Sequence, residues 1–255
     1  MKTPLYDALS PDYDRFVRWE KRLAGELPFL ERQLKEVGAR YVLDTACGTG
    51  QHVIALAQCG YEVVGTDVSA GMVRQARENA AAQGVAVSFF EAGFGAIAPA
   101  VEGTFDTVLC LGNSLPHVLT REHLLATFQD WFSLLRPGGL LLVQSRNLEH
   151  VVAQRDRWMP PRSSRQGERE WLFLRFYDFE ADGSLVFHVV TLTREAESPW
   201  QQQETTTRLW PWKYAELVED LDQAGFSTVK AFGDMQGTVY APESPNLVLS
   251  AMRGE

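Results

Sequence analysis

The chain has 255 residues, with 24 Lys and Arg against 33 Asp and Glu, a formal net charge of −9 at pH 7. That acid excess argues against a nucleic-acid surface and against anionic membrane, while the 45% hydrophobic content suits a folded protein with a sizeable core. The length fits one α/β domain with an insertion. There is no signal-peptide pattern and no apolar run of about 18 residues, so a cytoplasmic protein without a membrane span is expected. Cys47, Cys59 and Cys110 lack C-x-x-C spacing and read as free thiols packed beside buried elements. No metal-ligand spacing is found.

Residues 1–38 read as amphipathic helix. Tyr6, Tyr13, Phe16, Trp19, Leu23 and Leu27 recur at helical spacings, and the segment is expected to cap one edge of a sheet. Tyr41-Val-Leu-Asp-Thr-Ala-Cys-Gly-Thr-Gly50 then reads as strand and tight turn, with Gln51 opening a helix. Gly48 and Gly50 let the backbone bend and let a ligand approach the main chain. Tyr61-Glu-Val-Val-Gly-Thr is a second strand. Asp67 closes it, about 20 residues beyond Asp44, the separation at which an acid accepts ribose hydroxyls in a βαβ nucleoside site. The loop lacks a third glycine and a following lysine, so neither a dinucleotide fingerprint nor a P-loop is present.

The segment from Asp44 to Asp67, with Ala46, Gly48 and Gly50 between, resembles motif I of class I S-adenosylmethionine (SAM) methyltransferases. The resemblance implies a Rossmann-like α/β sheet of seven mostly parallel strands, with SAM as cofactor and S-adenosylhomocysteine (SAH) as product. A helix over Ser69–Gln83 follows, with Ser69 as N-cap. Val68 and Met72 lie just past the ribose acid, where an adenine face would rest. Val85–Phe90 is a third strand leading into Glu91-Ala-Gly-Phe94. Many relatives place an adenine-binding acid where this chain has Gly93. Phe94 reads either as an adenine-stacking ring or as a core aromatic.

Phe105–Leu111 is a nearly all-apolar strand, as a buried parallel strand should be. It ends in Leu111-Gly-Asn-Ser-Leu-Pro-His117, which resembles the corresponding loop of glycine N-methyltransferases. The resemblance puts Asn113 against the acceptor amine. His117 reads as a base, as an orienter or as a structural histidine. Arg22, on the N-terminal helix, matches an arginine that binds the methionine carboxylate in that family; a solvated helix arginine is the alternative. A helix over Glu122–Leu135, the turn Arg136-Pro-Gly-Gly139 and a fifth strand at Leu140–Gln144 lead to Ser145-Arg-Asn-Leu-Glu149. In the resembling family the arginine here holds the acceptor carboxylate, which makes Arg146 a substrate residue. Pairing with Glu149 is its alternative. Leu148 stands where that family has an aromatic.

Gln154–Glu170 reads as a loop rich in arginine. Trp171–Phe179, Leu185–Thr193 and Glu204–Trp210 read as an inserted antiparallel sheet, with a hairpin turn at Ala181–Ser184. Tyr177, His188 and Arg175 are its candidates for reaching the site. Lys213–Ala224 is the last helix, and Phe226–Phe232 with Leu247–Met252 the closing hairpin. The expected organisation is therefore a helical cap (1–38), a SAM-binding core (39–150), a loop with inserted sheet (151–210), and a last helix with hairpin completing the core (211–255). The expected activity is methyl transfer to a small-molecule acceptor, an amine nitrogen of a carboxylated, glycine- or sarcosine-like compound. O-methylation of a small acid or sugar, a non-catalytic SAM-binding module, and an NAD-dependent oxidoreductase are the competing readings. The inserted sheet is the expected surface for any homo-oligomer.

Overall fold

The structure, a computed structural model, describes residues 4–254. The N-terminal segment folds as α1 (Pro4–Leu9), a 3-10 turn (Ser10–Asp12), α2 (Tyr13–Phe16) and α3 (Trp19–Glu36). Only the second half of α3 is buried, through Phe29, Leu30 and Leu34. The core continues as β1 (Tyr41–Asp44), α4 (Gln51–Gln58), β2 (Glu62–Asp67), α5 (Ala70–Ala82), β3 (Ser88–Glu91), β4 (Phe105–Cys110), α6 (Arg121–Leu134) and β5 (Leu135–Arg146). Ser69 caps α5 as expected, its hydroxyl accepting the Met72 N–H at 3.1 Å.

After β5 come α7 (Leu148–Gln154), β6 (Arg162–Gln166), β7 (Arg169–Phe179), β8 (Leu185–Glu195), β9 (Gln201–Leu209), α8 (Tyr214–Gln223), β10 (Phe226–Phe232) and β11 (Asn246–Arg253). The main sheet has seven strands in the order β10-β11-β5-β4-β1-β2-β3. Its pairings are parallel except that β11 runs antiparallel to both neighbours. All of β4 is buried, including Asp106 and Thr107, which explains why it is nearly all apolar. One face packs Phe128 and Trp131 of α6 and Leu217 and Leu221 of α8. The other packs Leu30 and Leu34 of α3, Ile54 of α4 and Val73 of α5. The chain reverses its winding between β1 and β4, and ligands of open α/β sheets lie at such a switch point.

β6–β9 form a separate antiparallel sheet of four strands. This corrects two expectations. The segment at 154–170 is not all loop, and the inserted sheet has a strand more than its hydrophobic pattern shows. β6 is an exposed edge of polar residues held by backbone pairing to β7 across Gly167, whose φ is 60°. With no face to bury it carries no alternation to find. The expected turn at Arg136–Gly139 falls within β5 as an irregularity of the ladder, with Gly138 at a φ of 72° and a register shift between the Phe105–Leu135 and Thr107–Leu140 pairings. β3 starts at Ser88 rather than Val85. Cys47 and Cys110 are buried, whereas Cys59 is exposed, and all three are free. Among the described residues no helix is long and apolar enough to cross a membrane.

Candidate active site

The loop after β1 is tied to its neighbours by backbone bonds. Thr45 N–H donates to Leu109 O at 2.8 Å and Cys47 N–H to Thr66 O at 2.9 Å. Gly48 and Gly50 both have positive φ, 55° and 79°. Their surroundings differ. A side chain on Gly48 would meet only the Tyr13 ring, at 3.8 Å, on the cavity side. One on Gly50 would strike Phe89 at 2.8 Å and Ala76 at 2.9 Å. Gly50 does not line the cavity; its left-handed φ and its close packing against Phe89 and Ala76 are its reasons for being glycine. Asp44 is also off the cavity wall, buried beneath the loop with its carboxylate 3.3 Å from Ala46 N–H.

Asp67 stands at the end of β2. Its two oxygens accept N–H bonds from Gly48 and Ser69, each at 2.9 Å. Burial pushes its carboxyl up to about 6, against the pull of those two donors. Around it lies a partly open cavity of about 150 Å³. Ala46, Val68, Met72, Gly93, Phe94 and Leu111 are all on its wall. Phe94 is half-buried, edge-on to Trp131 with ring centroids 5.4 Å apart, so it is a core aromatic and a wall residue at once.

The N-terminal helices roof this cavity through two acids absent from the sequence reading. Asp14 accepts bonds from Trp19 Nε1 at 2.7 Å, Thr49 Oγ1 at 2.5 Å and Asn79 Nδ2 at 2.8 Å. Asp7 accepts from Ser69 Oγ at 2.5 Å and Gly71 N–H at 3.3 Å. Each acid thus sits near the start of a core helix, α4 or α5, where the helix dipole favours negative charge. The roof brings Tyr6 and Tyr13 to the cavity, and burial raises both phenols above their ordinary range, keeping them neutral.

Arg22 lies where this cavity meets a second one. Its Nε donates to both oxygens of Glu26, at 3.0 and 3.1 Å. Its terminal nitrogens lie against Gly112, 3.5 Å from where a side chain would begin. Glu26 also holds His52 Nε2 at 2.7 Å, and Trp19 lies edge-on to His52 and under the Arg22 guanidinium. Arg22 is therefore a fixed group facing the site, not a solvated one.

The second cavity, of about 660 Å³, lies between the core and the inserted sheet. Asn113 and Arg146 line it. Asn113 has a φ of 70°, and its Oδ1 accepts the Arg146 N–H at 2.9 Å. Gln144, which sequence reasoning missed, steadies the same loop by accepting Gly112 N–H at 2.8 Å. Arg146 has no ion pair among the described residues. Glu149 instead accepts the Tyr214 N–H at 3.3 Å, so their expected alternative pairing is not made. The Arg146 guanidinium lies 5.7 Å from the Tyr177 ring centre.

His117 lines the first cavity rather than the second. Its Nε2 is 2.9 Å from the Tyr6 hydroxyl and its Nδ1 3.4 Å from Thr207 Oγ1. Burial drives it down to about 4, so it is a neutral imidazole at pH 7. That environment suits an orienter of Tyr6 and removes the reading as a strong base. Of the inserted-sheet candidates, Tyr177 and Arg175 reach the second cavity. His188 does not: it stacks on Phe176 at 4.4 Å, between Asp178 and Glu204.

Residues 42–139 match the family described as a methyltransferase domain. A SAM-dependent methyltransferase from Clostridium acetobutylicum superposes with a TM-score of 0.80 at 15% identity, over 98% of this chain and 100% of that one. A SAM-bound amino pentose methyltransferase from Micromonospora echinaspora superposes with a TM-score of 0.70 at 18% identity, over 99% and 98%. At those identities the likeness concerns the fold. The matched domain and the glycine loop support a class I SAM-dependent methyltransferase. Within that class, the chain is similar to the glycine/sarcosine N-methyltransferase of Aphanothece halophytica, 26% identical over 243 residues, 93% of this chain and 84% of that one.

Proposed function

We propose that the protein moves the methyl group of SAM to the amine nitrogen of a small carboxylated acceptor. The observation that carries this reading is Arg146, a guanidinium without an acid partner among the described residues, in a cavity that shares Arg22 and Gly112 with the nucleoside cavity. Planar guanidinium recognises carboxylate bidentately. The naming of the Aphanothece relative points the same way.

The residues present fit the cofactor. Asp67 would accept the ribose hydroxyls, with Gly48 offering close backbone approach. Val68, Met72, Phe94 and Leu111 would enclose the adenine, with Gly93 leaving room beside them, and Arg22 would take the methionine carboxylate. Bound SAM supplies an electrophilic methyl, so the chain need not furnish a nucleophile of its own. Its work is to hold the acceptor by Arg146, with Asn113 orienting the amine, and to exclude water under the Tyr6–Tyr13 roof. The amine would have to arrive neutral, with its lone pair free, and the extra proton of the methylated product would leave to solvent. Fixing two reactants in line accounts for up to roughly 7–11 kcal/mol of barrier. Neutral His117 suits this chemistry, because an amine needs no strong base in the site.

The test is SAH release over a panel of amines, amino acids, hydroxy acids and sugars. The reading expects turnover with carboxylated amines. Turnover confined to hydroxyl or carboxyl oxygens would overturn it in favour of O-methylation.

A further inference from the structure

The second cavity carries more positive charge than one carboxylate requires. Arg18, Lys21, Arg22, Arg146, Arg162 and Arg175 line it, in a chain whose net charge is −9. Glu26 is the one acid on the wall among the described residues, and Arg22 and His52 already share it.

Arg162 and Arg175 are the unusual pair. β7 alternates, and Trp171, Phe173 and Tyr177 are its buried side chains. Arg175 falls on the same face, between Phe173 and Tyr177, where the pattern calls for an apolar residue. Its Nη2 donates to Pro160 O at 3.2 Å, but its buried Nε has no partner. Arg162, from neighbouring β6, donates to Phe16 O at 3.0 Å. Both guanidiniums lie over the Phe16 ring, at 5.0 Å for Arg175 and 5.7 Å for Arg162. Neither has a carboxylate partner among the described residues.

Burial, then Arg162 and Arg146, push Arg175 down to about 10. Burial, then Arg18 and Arg22, lower Arg162 as well. Like charges gathered in a partly desolvated pocket, with backbone carbonyls as their only acceptors among the described residues, are costly unless a ligand brings the counter-charge.

We infer that the acceptor carries two anionic groups, one held at Arg146 and the other, a carboxylate or a phosphate, held at Arg162 and Arg175. The inference rests on the acceptor role proposed above for this cavity. A one-carboxylate amine such as glycine or sarcosine satisfies Arg146 alone and leaves the inserted-sheet arginines unmatched.

Calorimetry on the SAH-loaded protein tests this with glutarate, inorganic pyrophosphate and acetate as probes. SAH is titrated first. If the folded protein does not bind SAH, the methyltransferase reading itself fails, independently of this inference. With SAH bound, a dianion is expected to bind at least tenfold more tightly than acetate, and Arg175→Gln and Arg162→Gln each to weaken it tenfold or more. Preference for glutarate assigns a dicarboxylate acceptor, and preference for pyrophosphate a phosphorylated one. SAH affinity of the variants reports that they are folded. If acetate binds as tightly as both dianions, or if both variants, still binding SAH, hold the dianion as tightly as wild type, the inference is overturned.

Discussion

Asp67 offers the sharpest quantitative test of the cofactor site. Its carboxyl lies at about 6 in the folded protein, above the ordinary Asp value of 3.8, because burial outweighs two N–H bonds. The ionised form is the better acceptor for paired hydroxyls. At pH 7 about nine-tenths of the free protein would hold Asp67 ionised, and at pH 5 about one-tenth. If the ionised form alone binds well, the Kd for SAM rises about tenfold as pH falls from 7 to 5. The sign for stability is opposite. A carboxyl raised in the folded state holds its proton longer than in the unfolded chain, so the free protein loses stability as pH rises from about 4 to about 6. The full shift corresponds to roughly 3 kcal/mol. Calorimetric SAM titrations at pH 5, 6 and 7 on wild type and on Asp67→Asn check this. Wild type should show the tenfold slope. The variant should bind at least about a hundredfold more weakly at pH 7, from charge-assisted bonds worth about 1.5–3 kcal/mol each, and should lose the slope. A wild-type Kd flat across that range, or an Asp67→Asn variant retaining wild-type affinity, would refute the reasoning.

Other expectations follow from single contacts. Gly50→Ala adds a side chain that strikes Phe89 and Ala76 in a left-handed backbone, and urea denaturation should show a loss of about 2–4 kcal/mol. Gly48→Ala meets no such clash, only the Tyr13 ring at 3.8 Å and a φ of 55°, so its stability loss should be clearly smaller in the same experiment. Tyr6→Phe leaves a ring nitrogen of His117 without its 2.9 Å partner, and thermal unfolding should reveal a cost of about 1–3 kcal/mol. Arg146→Gln should raise the KM of a carboxylated amine about 10–100-fold in steady-state assays, while the calorimetric Kd for SAM stays within about twofold.

The core fold was legible because its signals are local. β1, the glycine loop and β2 carry apolar runs, turn residues and terminal acids in order, and β4 announces its burial by having no polar alternation. The second cavity was less legible. Arg162 sits on a polar edge strand with no fully buried residue, which leaves no side-chain period. Arg175 follows from the alternation of β7 only once the covered face is known. The roof was the least visible part. Asp7 and Asp14 act on helix starts that are distant in sequence, and nothing near either residue marks that contact. Gly50 shows the converse limit: a glycine inside a familiar loop pattern can be there for packing, and only the distances to Phe89 and Ala76 tell the two apart.

The most direct test of the account is mass spectrometry of the products formed from SAM bearing a deuterated methyl group and a panel of carboxylated amines. The account predicts the intact labelled methyl on the amine nitrogen, with one SAH formed per label transferred. Label found only on oxygen, or no transfer to any amine by a protein that binds SAM, would contradict it.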